Sequence, residues 1–118
     1  MSESEVGLKK LKDAYTDGLL EINGREYHFT EMRHMRRRDV FAYFSMISDD
    51  VQRGRFAFLS DPRFKPIEKI IGDHIMFEGS LLSKLSDHWD EFPEDYLELI
   101  ATAMGVMSYP FMRGNLTD

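Results

Sequence analysis

The segment that most constrains this chain is the hairpin signal in residues 19–30. The run LLEI is followed by Asn23-Gly24 and then by REYHFT. Asn-Gly between two alternating runs predicts a two-residue turn of type I′, because both central residues of that turn need a positive φ. The predicted register pairs Ile22 with Arg25, Glu21 with Glu26 and Leu20 with Tyr27. The apolar face of the hairpin then carries Leu20, Ile22, Tyr27 and Phe29.

An isolated hairpin is only marginally stable in water, so a second element must cover this apolar face. The segment that follows predicts an amphipathic helix, with Thr30 as its N-cap residue and an end near Gly54. The apolar stripe of this helix consists of Met32, Met35, Val40, Phe41, Phe44, Ile47 and Val51. We expect this helix to cover the hairpin.

Helical signals also lie before the hairpin and beyond Gly54. Apolar residues recur at near-helical spacing from Val6 to Tyr15, and Gly18 follows them as a stop signal. Pro66 marks the first turn of a later helix, because its missing N–H is not needed there. Residues 75–79 predict a short extended piece with a turn.

The C-terminal third predicts two more helices. Ser80 is the expected N-cap of a helix that buries Leu81, Leu82, Leu85 and Trp89. Pro93 lies near the start of the last helix, and Pro110 is expected to end it. Together these elements predict a mostly α-helical α+β protein with an N-terminal β-hairpin. We expect residues 1–118 to form a single domain, with residues 1–5 disordered.

Composition narrows the possible functions. The chain contains no cysteine, which excludes a disulfide, a thiolate zinc site and a cysteine nucleophile. No stretch approaches the roughly 18 apolar residues of a membrane span, and MSESEVGLKKLKD lacks the apolar core of a signal peptide, so we expect a cytoplasmic protein. The four histidines lack the spacing of a zinc-protease helix, and no phosphate loop or nucleophile elbow is present. We expect no catalytic, cofactor or metal site.

A block of basic residues begins the helix after the hairpin: Arg33, His34, Arg36, Arg37 and Arg38. One interpretation is a contact for a phosphate or an acidic partner, and the other is a solvated helix face. The net charge of −6 favours the solvated face over nucleic-acid binding. An acidic partner or a second copy of the chain stays open, since the C-terminal third carries Asp87, Asp90, Glu91, Glu94, Asp95 and Glu98. The Arg block and these acids could pair within one chain or between two.

Two segments, INGREYHFTEM and IMFEGSLLSKLSDHWDEFPEDYLELIATAMGVMSYPF, give the chain a family resemblance. In their order and spacing they resemble the tail assembly chaperones of long-tailed bacteriophages. The similarity covers most of residues 19–112, although each motif is also a general helix or turn signal. The pattern consists of an Asn-Gly hairpin before a helix, then a Pro-Glu-Asp helix start and a terminal Pro-Phe.

The resemblance implies a non-enzymatic role in tail morphogenesis. Such proteins keep the long helical tape-measure protein soluble and help recruit tail-tube subunits. They act in the host cytoplasm and do not remain in the mature virion. The family has no fixed catalytic or metal residues to assign to this sequence.

The partner-binding residues are therefore predicted from the chemistry of their side chains. A chaperone for an apolar helix needs a broad adaptable groove, which methionine and aromatic side chains can form. The predicted partner-binding residues are Met32, Met35, Arg36, Arg37, Phe41, Met104, Met107, Phe111 and Met112. The methionines could instead fill the core. We expect self-association, which would multiply weak contacts along a client. The alternative function is a small phage or bacterial regulatory or adaptor protein that acts through the Arg-rich helix.

Overall fold

A computed structural model describes the backbone of residues 3–116 and the side chains of residues 7–112. Its helices and strands are α1 (Glu3–Asp17), β1 (Leu19–Ile22), β2 (Arg25–Phe29), α2 (His34–Gln52), α3 (Phe64–Asp73), β3 (Ile75–Phe77), β4 (Ser80–Leu81), α4 (His88–Glu91) and α5 (Tyr96–Leu116). Short 3-10 turns cover Ala57–Ser60, Leu82–Lys84 and Pro93–Asp95. The predicted class, a mostly helical α+β protein, is confirmed.

The strands form an antiparallel sheet in the order β1-β2-β3-β4. Within the hairpin, Leu20 pairs with Tyr27, Glu21 with Glu26 and Ile22 with Arg25, which are the expected pairs. Asn23 and Gly24 have φ angles of 52° and 80°, as a type I′ turn requires. The description as an N-terminal hairpin was too narrow, because α1 precedes the hairpin and two further strands extend its sheet.

The core is organised around α5, which packs mainly against α2 and α1. On α2 the buried residues Val40, Tyr43 and Ile47 recur every three or four positions, as expected for one helix face. Helices α1 and α5 approach closely at Gly105, where a Cβ atom would lie 2.8 Å from a terminal carbon of Leu11. A side chain at this position would force the Leu11 side chain to move.

The cover of the hairpin differs from the prediction. Helix α2 packs mainly on α5 and α3. On the apolar face of the hairpin, the ring of Tyr27 instead lies 5.2 Å from that of Phe77 on β3 and 5.6 Å from that of His88 on α4. The segment that was expected to form one helix after Ser80 therefore supplies part of the cover.

The start of α2 was predicted too early. Thr30 does not cap it, because the Thr30 amide donates to the His74 carbonyl at 2.9 Å and so prolongs the pairing of β2 with β3. The Thr30 hydroxyl lies 3.1 Å from Nδ1 of His74. Helix α2 begins at His34, with Arg33 in the N-cap position and no side-chain capping bond.

The helix predicted from Ser80 does not form. Ser80 and Leu81 pair with β3 as strand β4, and Glu78-Gly79 turns the chain with φ angles of 51° and 84°. Like the first hairpin turn, this turn has positive φ at both central residues. The sequence did not indicate it, because glutamate is not a typical residue at the first of these positions. Trp89 lies instead in the four-residue helix α4.

Two predictions about the ends of the chain also need correction. Pro110 does not stop α5, which continues to Leu116. The ring of Phe111 stacks on Phe41 of α2 at 4.9 Å, and this tertiary contact holds the turn that follows the proline. Of the residues expected to be disordered, 1 and 2 lie outside the described part of the chain, whereas 3–5 belong to α1.

Candidate functional site: a groove at the start of α2

A concavity of about 670 Å³ lies where the start of α2 meets the junction between α3 and β3. It is lined by Glu31, Met32, Arg33, Arg36, Arg37 and His74. The Arg residues reach it because positions 33, 36 and 37 share one side of the first turns of α2. His74 joins them because the strand that begins at Ile75 pairs with β2. Three of the predicted partner-binding residues, Met32, Arg36 and Arg37, therefore lie together.

His74 is held as a neutral ring at the base of this concavity. An Arg36 Nη1 atom lies 3.2 Å from His74 Nε2, and a guanidinium can only donate, so Nε2 is the acceptor. His74 Nδ1 therefore carries the proton and donates to the Thr30 hydroxyl. Burial, followed by the positive charge of Arg36, lowers the pKa of His74 below its ordinary value. The ring is therefore uncharged at neutral pH.

A second concavity, of about 440 Å³, continues from the first and shares Glu31, Met32, Arg37 and His74 with it. Its apolar lining consists of Tyr15, Phe29, Met32, Val106 and Met107. Arg37 stands between the two, since its Nη1 donates to the Met107 carbonyl at 2.8 Å and its guanidinium lies 5.6 Å from the ring of Tyr15. We call the two concavities together the α2 groove. One end of the α2 groove is basic and the other is apolar.

The predicted apolar surface residues are divided between the surface and the core. Met35 is 57% exposed, and Met32, Phe41, Phe111 and Met112 are half-buried. Met104 and Met107 are 0% and 3% exposed, so the expectation that they offer side-chain surface was wrong. They lie on the side of α5 that packs against the rest of the protein, which a helical period alone cannot distinguish from a binding face.

Sequence reasoning missed Met46, which is 55% exposed on α2. Met35 and Met46 are eleven positions apart, which is about three helical turns, so both methionines lie on the same side of α2. That spacing was available in the sequence. The exposed pair was not predicted, because Met35 belongs to the apolar stripe that was expected to cover the hairpin.

Among the ion pairs of the described residues, none joins the Arg block to the acid-rich segment. Arg36 binds Asp73 at 3.3 Å and Arg38 lies 3.6 Å from Asp39. The acids of the C-terminal third bind bases outside the block: Arg25 binds Glu94 and Asp95, and Lys10 binds Glu98. The open question of pairing within one chain is thereby answered for these acids.

A buried polar network, also missed from the sequence, ties the hairpin to the start of α5. Asp95 is 0% exposed. Its carboxylate accepts from Asn23 Nδ2 at 2.7 Å, from Arg25 Nη1 at 3.0 and 3.1 Å, and from the Tyr27 hydroxyl at 2.7 Å. The three donors lie on the hairpin turn and on β2, so the Asn-Gly turn also positions them. A carboxylate six residues after the tryptophan gave no sign of this role.

The protonation of the network follows from its donors. Tyr27 donates to Asp95, so its oxygen must accept from His88 Nε2, which lies 2.9 Å away. Burial alone would raise the pKa of Asp95, but the hydrogen bonds from Asn23, Tyr27 and Arg25 outweigh it and hold the pKa below the ordinary value. Burial lowers the pKa of His88 and raises that of Tyr27. The network therefore holds an ionised Asp95 beside a neutral histidine and a neutral tyrosine.

Among the described residues, no group of three or more His, Asp or Glu side chains is arranged to hold a metal ion. None of the described helices has the length and apolarity needed to cross a membrane. Comparison of the chain with protein-family models, curated proteins and solved structures found no match.

Proposed function

We propose that this chain is a tail assembly chaperone of a long-tailed bacteriophage. It binds the tape-measure protein, keeps it soluble and helps recruit tail-tube subunits, without catalysing a reaction. It acts in the host cytoplasm, associates with further copies of itself and is absent from the mature virion. The resemblance of the INGREYHFTEM and PEDYLELIATAMGVMSYPF segments to that family supports this proposal.

The observation that carries the proposal is the pair of exposed methionines on α2. Met35 and Met46 leave more than half of their side-chain surface in water. They are about 16 Å apart along the helix axis, given a rise of about 1.5 Å per residue. Methionine is unbranched and polarisable, so it adapts to irregular apolar partners. A surface of this kind fits successive turns of a long client helix.

The proposal predicts a tape-measure gene beside the gene for this chain, and it is tested by co-expression of the two proteins. Wild-type chain should retain the tape-measure protein in the soluble fraction and co-purify with it. The double variant Met35→Glu, Met46→Glu should lose most of this capture, because two carboxylates would have to be buried against an apolar client. Leu97→Glu is the matched control, since Leu97 is also a large exposed apolar residue, 42% exposed, but belongs to α5.

Absence of a complex at micromolar concentration would refute the proposal. Equal loss of capture in the control variant would show that added negative charge, and not the α2 surface, is responsible. The mass of the complex in solution gives the number of copies bound to each client.

A further inference from the structure

We propose that the α2 groove is a peptide-binding site for a partner segment in which a carboxylate side chain lies next to apolar side chains. The inference rests on the proposed function, because it specifies the chemistry of the client segment. It is carried by the arrangement of the groove, in which a basic end continues into an apolar end.

Three Arg side chains and one carboxylate, that of Glu31, line the basic end, so its lining is positively charged on balance. Arg36 is paired with Asp73, and Arg37 is bound to a backbone carbonyl. Arg33 is exposed, and the described residues offer it no ion pair. The first turn of α2 also contains no acidic residue. Basic side chains at this positive end of a helix oppose the helix dipole, so their presence disfavours folding and favours an external anion.

The apolar end makes a protein segment a better occupant than a free anion or a nucleic acid. Its accessible apolar surface comes from Tyr15, Phe29 and Met32, which are half-buried, and Val106 and Met107 lie buried beneath them. An inorganic phosphate would leave this surface in water. A nucleic acid would bring many phosphates close to Glu31 and to a chain of net charge −6, whereas a protein segment can present a single carboxylate to Arg33. A segment with a carboxylate next to a leucine or phenylalanine can bind the basic end and the apolar end at the same time.

The test measures the binding of a fluorescein-labelled peptide, in which Glu alternates with Leu and Phe, to the full chain by fluorescence anisotropy. Arg33→Glu should weaken binding by about tenfold or more, as expected for loss of a charge-assisted hydrogen bond and its replacement by repulsion. Arg38→Glu is the matched control, since Arg38 is also exposed, lies five residues further along, pairs with Asp39 and does not line the groove. It should leave binding nearly unchanged.

Weaker binding by Arg33→Glu cannot be caused by a loss of folding stability, because glutamate at the Arg33 position favours the start of a helix. The thermal midpoint of Arg33→Glu should be at least as high as that of the wild type. A matched peptide with Lys in place of Glu should not bind, and one with Ser in place of Leu and Phe should bind at least about tenfold more weakly.

Equal weakening by both variants would overturn the inference, because it would indicate only a long-range charge effect. Full competition by millimolar phosphate, or tighter binding of a DNA duplex than of the peptide, would also overturn it. Peptide binding without tape-measure capture would refute the proposed function and leave the groove supported. Tape-measure capture without peptide binding would support the proposed function and refute the inference about the groove.

Discussion

Removal of the Asp95 carboxylate is the sharpest test of how the hairpin is held to α5. In Asp95→Ala, Asn23 can turn to water because it is exposed, and Arg25 keeps Glu94 at 3.0 Å. The Tyr27 hydroxyl loses its acceptor and cannot turn to water, since Tyr27 is fully buried and His88 Nε2 donates to it. A stranded buried hydroxyl costs about 1–3 kcal/mol, and loss of a buried charge partner costs about 3–5 kcal/mol. Because Asn23 and Arg25 find other partners, we expect about 3 kcal/mol of lost unfolding free energy.

This loss is a large part of the 5–15 kcal/mol, roughly, that a domain of this size possesses. Urea unfolding measures it directly, and the chain provides its own probe: its one tryptophan, Trp89, lies 6.5 Å from the ring of Tyr27. Tyr27→Phe removes the hydroxyl that Asp95→Ala would strand. The two changes should therefore couple by about 1–2 kcal/mol in a double-mutant cycle.

Two results would refute this reasoning. One is a loss below about 1 kcal/mol in Asp95→Ala, which is the range of an exposed ion pair. The other is strict additivity of the two substitutions, which would mean that the hydroxyl and the carboxylate do not depend on each other in the folded protein.

Three other predictions concern stability and use the same urea assay. The folded-state pKa values of His74 and His88 lie below their unfolded values, so below about pH 6.5 the unfolded chain binds protons that the folded chain excludes. The free energy of unfolding should therefore be highest above that pH and fall as the pH is lowered towards 5. A urea midpoint unchanged from pH 7.5 to 5 would contradict this. Gly105→Val should cost about 1–3 kcal/mol by overpacking, because its Cβ would lie 2.8 Å from Leu11, and Leu11→Ala in the same chain should recover part of the loss. Glu78→Asn should raise stability by roughly 0.5–1 kcal/mol, since asparagine tolerates the φ of 51° at the first turn position better than glutamate; a lowered midpoint would show that the Glu78 side chain has a role of its own.

The candidate site was predictable in part. The sequence placed Arg36 and Arg37 on one face of a helix, because that relation depends only on the helical period. It could not place His74 beside them, because the two segments meet only when β3 pairs with β2. It also could not separate Met104, which is buried, from Met35, which is exposed, since both recur at helical spacing and only the neighbouring elements decide which face is covered.

Tertiary contacts also overrode two strong local signals. Pro110 lacks the N–H that continues a helix, yet α5 extends beyond it because Phe111 packs on Phe41 of α2. Thr30 is a favourable cap, but its amide and hydroxyl are engaged by His74. In both cases the local preference is worth only a few kcal/mol or less, which packing between elements can exceed.

The sequence by itself determined the hairpin register, because a two-residue turn with positive φ at Asn23 and Gly24 leaves the flanking strands only one alignment. That information is local and needs no other part of the chain. The tertiary structure alone decided what the hairpin contacts. Part of its cover comes from Phe77, His88 and Trp89, and its turn and second strand donate three sets of hydrogen bonds to Asp95, some seventy residues away. Such contacts depend on the balance of burial and hydrogen bonding over the whole fold, which no short sequence pattern records.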